Sequence, residues 1–182
     1  MASVLVPLAE GSEELEAVTI VDLLRRAGIE VTTAGLTDGP IKASRGVTLL
    51  PDTTLDAVMT QDFDMIALPG GLPGSDHFDN DPRIRELLKR TADQGGFVAA
   101  ICAAPKVLAR AGLLNGRRAT CYPGVLDRMV FPLVGVKDEP VVVDGQVITG
   151  RGPGAAMDFA LQLIESLVGR EKRDEVEEGL VR

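Results

Sequence analysis

The chain has no tryptophan, one tyrosine and five phenylalanines, so aromatic residues make up only 3% of its 182 residues. A core of Val, Leu, Ile and Ala is all that such a composition allows. It suits an α/β fold with buried parallel strands. Two cysteines cannot make a disulfide framework and point to a reducing setting. With a single histidine, His77, a structural zinc site is not expected. Positive charge is also scarce: 19 Lys and Arg face 27 Asp and Glu, for a net charge of −8. No basic patch is available to displace counterions from nucleic acid or to hold an anionic membrane surface. No apolar run approaches the roughly 18 residues of a membrane span. The first strand opens at once with Ser3-Val4-Leu5-Val6, with no basic segment before it, so no secretory signal is expected and the cytoplasm is the expected location.

What is present is alternation. Apolar strand patterns at Ala2 to Leu8, Ile29 to Ala34, Val47 to Leu50, Asp64 to Leu68, Phe97 to Ile101 and Arg118 to Tyr122 are interleaved with helical ones. The predicted helices run Glu13 to Ala27, Pro82 to Ala92 behind an Asp81 cap, Pro105 to Leu114, Ala155 to Val168 and Glu171 to Glu178. Val141 to Thr149 reads as a hairpin around Asp144-Gly145, the pair that a tight primed turn requires. Strands joined by helices give parallel βαβ units, so one α/β domain over residues 1–182 is expected. No repeat, low-complexity tract or linker interrupts it.

The most informative segment is Phe97-Val-Ala-Ala-Ile-Cys-Ala-Ala-Pro105. An apolar strand ends at Cys102 and a helix follows, which is the layout of a nucleophile elbow, with small Ala100 and Ala104 where the serine version carries glycines. A buried core cysteine is the plain alternative. The elbow pattern favours a reactive thiol, with a pKa expected to be lowered by the following helix.

In open α/β sheets, sites form beyond the carboxyl ends of the strands. The loops Ala9 to Ser12, Pro69 to Gly74 and Cys102 to Ala104 all lie there and are expected to converge. In Gly11-Ser12-Glu13-Glu14-Leu15-Glu16, acids in a first helical turn complement the dipole, which explains two of the three. Glu16 is either a third such acid complementing the dipole, the plainer reading, or, since it borders the apolar stripe, a half-buried carboxyl whose raised pKa would let it hold or move a proton. Pro69-Gly70-Gly71-Leu72-Pro73-Gly74 is either a plain tight loop or a source of free amide donors for an oxyanion hole. His77 sits among polar residues and reads as a solvated loop side chain rather than a base. Arg151, in Arg151-Gly152-Pro153-Gly154, fits an anion clamp or, preferably, an ion pair. Cys121 either faces Cys102 or is inert.

Together, Gly11 to Ala17, Leu23 to Gly35, Leu68 to Gly71, Ala99 to Pro105, Thr149 to Gly154 and the final helix through Gly169-Arg170-Glu171 resemble the parkinsonism-associated deglycase family of the ThiJ/PfpI superfamily. The resemblance implies a flavodoxin-like α/β sandwich, mostly parallel and helix-covered on both faces, and a homodimer. It puts the nucleophile on Cys102 and the acid that hydrogen-bonds its sulfur on Glu16. Oxyanion amides would come from Gly71, Cys102 and Ala103, with Gly70, Arg45 and Tyr122 near the pocket. Glyoxalase, deglycase, chaperone and oxidative-stress roles are implied, with small aldehydes or glycated molecules as substrates and no cofactor. Some members place a histidine in a Thr-His-Pro context where this chain has Tyr122, and the protease-like branch has histidine where this chain has Ala103. A Cys–His–acid protease is therefore disfavoured, and the resemblance is to a bacterial-type subgroup without that histidine.

Overall fold

The computed structural model describes residues 1–182. In chain order the elements are β1 (Ser3–Leu8), α1 (Glu14–Arg26), β2 (Glu30–Gly35), β3 (Ile41–Lys42), β4 (Thr48–Leu49), β5 (Thr53–Thr54) and α2 (Leu55–Val58). Then come β6 (Met65–Leu68), α3 (Leu72–Asn80), α4 (Pro82–Asp93), β7 (Phe97–Ile101), α5 (Pro105–Arg110), β8 (Arg118–Ala119) and β9 (Gly135–Val136). The chain finishes with β10 (Val141–Asp144), β11 (Val147–Gly150), a single 3₁₀ turn, α6 (Ala156–Val168) and α7 (Arg170–Gly179).

Seven strands form one sheet in the order β10-β11-β7-β6-β1-β2-β5. All pairings are parallel except the β10–β11 hairpin. Side chains of a strand alternate between its two faces, and the core divides accordingly. Val4, Val6, Met65, Ala67, Ala99 and Ile101 pack with α1 and α6. Leu5, Ile66, Leu68, Val98 and Ala100 pack with Phe78, Leu87 and Leu108 of α3, α4 and α5 on the other face. This three-layer α/β arrangement is the expected sandwich.

Several boundaries depart from the sequence reading. Val47 to Leu50 contributes only β4, which pairs with β3 in a separate two-stranded ribbon. Arg118 to Tyr122 supplies only β8, paired with β9 outside the main sheet. The helix expected from Pro105 to Leu114 stops at Arg110, where Gly112 with φ +79° follows. The largest difference is α3: Leu-Pro-Gly-Ser-Asp-His reads as a loop, yet it is helical. Proline is tolerated there because it lies in the first turn, where its missing N–H has no helical partner to lose.

One buried group in α3 is uncompensated. The Ser75 hydroxyl is sealed from solvent and has no hydrogen-bond partner. Replacing an unpaired buried hydroxyl with a methyl removes its desolvation cost and favours the helix. Ser75→Ala is therefore expected to raise the unfolding free energy by about 1 kcal/mol in urea titrations; a loss of stability would show that the hydroxyl does have a partner.

Candidate functional site

At the carboxyl end of β7 the chain turns abruptly. Cys102 has φ +65°, and only one other non-glycine residue, Val181 near the C-terminus, has positive φ. For a side-chain-bearing residue this conformation costs about 1–3 kcal/mol and persists only where the surroundings impose it. The surroundings here are backbone hydrogen bonds. The Cys102 N–H donates to the Gly150 carbonyl at 2.9 Å, the Cys102 carbonyl accepts from Tyr122 N–H at 2.8 Å, and Ala104 N–H closes the turn on Ile101 at 3.0 Å. Ala100 and Ala104 are fully buried on either side. The elbow inferred from the small residues is therefore present.

The three loops do meet. Glu16 lies in the first turn of α1 and is wholly buried. Its Oε2 accepts a 2.7 Å hydrogen bond from Gly70 N–H, and Gly70 returns its carbonyl to Glu13 N–H at 2.9 Å. Glu13 in turn caps α1, its carboxylate accepting from Glu16 N–H. Gly70 cannot be replaced, because a Cβ there would stand 2.6 Å from both Cys102 Cβ and Glu16 Oε2. Gly71 has φ +87°, and a Cβ on it would strike the Gly11 carbonyl at 2.3 Å. These close approaches bring the β1, β6 and β7 loops to one point. The backbone N–H groups of Gly71 and Ala103 and the Glu16 carboxyl lie close enough to the Cys102 sulfur to shift its ionisation; Glu16 Oε1 is buried with no hydrogen-bond partner.

Two expectations need correcting. The Cys102 N–H is committed to Gly150, so it is not an available oxyanion donor; the free amides are those of Gly71 and Ala103. Nor is the thiol pKa lowered. Burial, followed by the charge of Glu16 and the hydrogen bond to it, pushes Cys102 up to about 12, against the pull of the two amides. The helix that was to lower it has only six residues and begins three positions later, at Pro105. Burial likewise lifts Glu16 to about 7, with Gly70 N–H and the thiol pulling back and Glu13 adding to the rise. Thiol and carboxyl thus form a coupled pair that loses one proton near neutrality. The proton that remains, on the thiol, can be passed to the ionised carboxylate.

The remaining candidates scatter. Tyr122 is half exposed at the mouth of a cavity of about 370 Å³, shared with Pro123, Arg151 and Pro153. Arg151 makes the expected ion pair, with Asp138. Arg45 is exposed, and its backbone N–H is held by Glu14 at 2.8 Å. His77 is exposed on α3 rather than in a loop. Cys121 packs in the opposite core layer from Cys102, its sulfur facing the Val125 and Leu126 amides, so the two thiols do not pair. The largest cavity, about 610 Å³ beside Phe63 and Phe97, lies at the amino ends of the strands, away from this chemistry. No cluster of three metal-binding side chains is present, and no helix is long and apolar enough to cross a membrane.

Glu16 also makes stability depend on pH. Its folded pKa, about 7, lies above the ordinary 4.5, so its contribution is complete below about 4.5 and is lost as pH rises through about 7. Glu16→Gln keeps an acceptor for Gly70 N–H and cannot ionise. It is expected to match wild type in urea denaturation near pH 4.5 and to exceed it by up to about 3 kcal/mol above pH 8.

The model of the DJ-1/PfpI family matches residues 2–166. Protein dj-1beta of Drosophila melanogaster is 48% identical over 180 residues, covering 98% of this chain and 96% of that protein. The crystal structure of Drosophila melanogaster DJ-1beta superposes with a TM-score of 0.94 at 46% identity, covering 99% of this chain and 97% of the other. A Caenorhabditis elegans protein named glutathione-independent glyoxalase DJR-1.2 is 40% identical over 171 residues, covering 94% of this chain and 90% of that one. With the elbow, the buried acid and nearly the whole chain in register, this protein belongs to the DJ-1/PfpI family.

Proposed function

We propose that the chain is a cysteine-dependent, cofactor-free glyoxalase or deglycase acting on methylglyoxal, glyoxal or their early adducts, in protection against carbonyl and oxidative stress. The observation that carries this reading is the contact between a strained, 7%-exposed Cys102 and a fully buried Glu16, with the Gly71 and Ala103 amides aimed at the sulfur. The name of the nematode relative supports the substrate class.

The reaction follows from the proton count. Above about pH 7 the pair holds one proton, on the thiol, and ionised Glu16 takes it as sulfur attacks the aldehyde carbon. A hemithioacetal forms, its oxygen stabilised by the Gly71 and Ala103 amides. Glu16 gives the thiol proton to that oxygen, then removes the proton from the former aldehyde carbon and delivers it to the neighbouring one while the hydroxyl proton passes between the two oxygens, leaving a lactoyl thioester. Water cleaves the thioester to lactate and frees the thiol. Tyr122, whose N–H donates to the Cys102 carbonyl, and Arg151 line a cavity that would take the rest of a larger adduct.

A homodimer is part of this proposal. Val18 on the outward face of α1 is 50% exposed, and Leu50 beside the β3–β4 ribbon is 76% exposed. With Leu15 and Val47 they leave apolar side chains at one side of the molecule. Arg45 lies on the loop joining the two ribbon strands, within this region. An alternative role for the same contact is redox sensing: peroxide would oxidise Cys102 to a sulfinate, held by the protonated Glu16 carboxyl.

Lactate formation from methylglyoxal without glutathione tests the enzyme. Wild type is expected to turn over, Cys102→Ser to lose at least about a hundredfold, and Glu16→Gln to lose a comparable factor despite its greater stability. The kcat/KM should rise with pH through about 7. No lactate from folded wild type, with selective peroxide oxidation of Cys102, would replace the enzyme with the sensor. For the assembly, Val18→Asp is expected to convert a dimer to a monomer in light scattering; a monomeric wild type would remove the dimer.

A further inference from the structure

The two segments that deliver the sulfur and the Gly71 amide continue directly into two helices that face one another. Gly71 is the N-terminal cap of α3, its carbonyl accepting from Ser75 N–H at 2.9 Å, and Cys102 leads through Ala103 and Ala104 into α5. Between the helices run two ion pairs. Asp76 meets Lys106, and Asp79 meets Arg110 at 3.1 Å. The spacings are i, i+3 on α3 and i, i+4 on α5, so each set lies along one helix face and the pairs form two rungs. Neither rung is wholly in water: the Lys106 side chain is only 12% exposed and that of Asp79 only 9%. Beneath them Phe78 of α3 and Val107 and Leu108 of α5 are buried in one core layer.

We infer that Asp76, Asp79, Lys106 and Arg110 are positioning residues that hold the strained Cys102 elbow against the Gly71 N–H. The elbow has positive φ at a non-glycine residue and would relax if its neighbours allowed it. Relaxation on the α5 side moves the sulfur away from a donor fixed on the α3 side. Apolar packing alone resists separation of the helices but not sliding along them. Two charge pairs one turn apart fix that register. This rests on Cys102 being the reacting thiol of the proposed function.

The test uses the rate of Cys102 alkylation by iodoacetamide at about pH 8, well below the thiol's midpoint, read by mass spectrometry with the Cys121 peptide as internal control. A loosened fold exposes both thiols and raises both rates, whereas loss of the Gly71 amide from the sulfur lowers the Cys102 rate alone, and no turnover is required. Asp76→Asn with Asp79→Asn removes both rungs without changing side-chain size. It is expected to lower the Cys102 rate about fivefold, the loss of thiolate at that pH. Lys106→Arg with Arg110→Lys keeps both charges and is expected to retain the wild-type rate. If lactate is formed, the Asn variant should lower kcat about fivefold with KM unchanged, since binding groups are untouched. An unchanged or raised Cys102 rate in the Asn variant, with only melting temperature reduced, would overturn the positioning role. An enzyme inactive from the outset but showing the Cys102 rate loss would overturn the proposed turnover and leave the clamp standing.

Discussion

Everything at the carboxyl end of the sheet depends on a carboxyl placed where no water reaches it. Glu16 is held by one backbone N–H, that of Gly70, faces the Cys102 thiol, and keeps its second oxygen buried without a partner. A lone buried carboxylate is costly, and the molecule lowers that cost by keeping the group protonated up to about neutral pH. The same burial keeps the neighbouring thiol protonated. Above about neutral pH the two groups keep one proton between them, and it sits on the thiol. In the proposed reaction the thiol is activated by proton transfer to Glu16 and by the amides of Gly71 and Ala103, not by the short helix after the elbow.

The geometry is expensive locally and supported globally. Cys102 occupies a strained conformation, Gly70 and Gly71 approach their neighbours more closely than any side chain would permit, and Glu16 gives up solvent. Against this stands a sheet whose central strands β1, β6 and β7 are buried on both faces by aliphatic side chains. Fully burying one such side chain contributes about 1.5–3 kcal/mol. A few of them offset the strain, which allows a site of this kind to persist on a core with almost no aromatic residues.

Much of this was legible in the residues. Short apolar runs pointed to β1, β2, β6 and β7 to within a residue or two, Asp144-Gly145 to the hairpin, and Asp81 before Pro82 to the start of α4. Cys102 between small residues gave the elbow. The failures share a cause, which is competition between local propensity and tertiary packing. Residues 72–80 look like a turn because Pro, Gly, Ser, Asp and Asn favour turns; they are helical because Phe78 is buried against α5 and Gly71 caps them. Thr48–Leu49 and Arg118–Ala119 have strand propensity but pair outside the main sheet, since propensity does not choose a partner.

The class of the fold, the elbow at Cys102 and the residues from which a site had to be built can all be read along the chain. Those follow from periodicity and residue size, which act over neighbours in the chain. Tertiary structure alone decided what the site residues do to one another. The burial of Glu16, the commitment of the Cys102 N–H to Gly150, the upward displacement of the thiol and the separation of Cys121 from Cys102 all depend on segments tens of residues apart. Electrostatics in a buried site is set by which groups share a low-dielectric space, and only the folded chain brings those groups together.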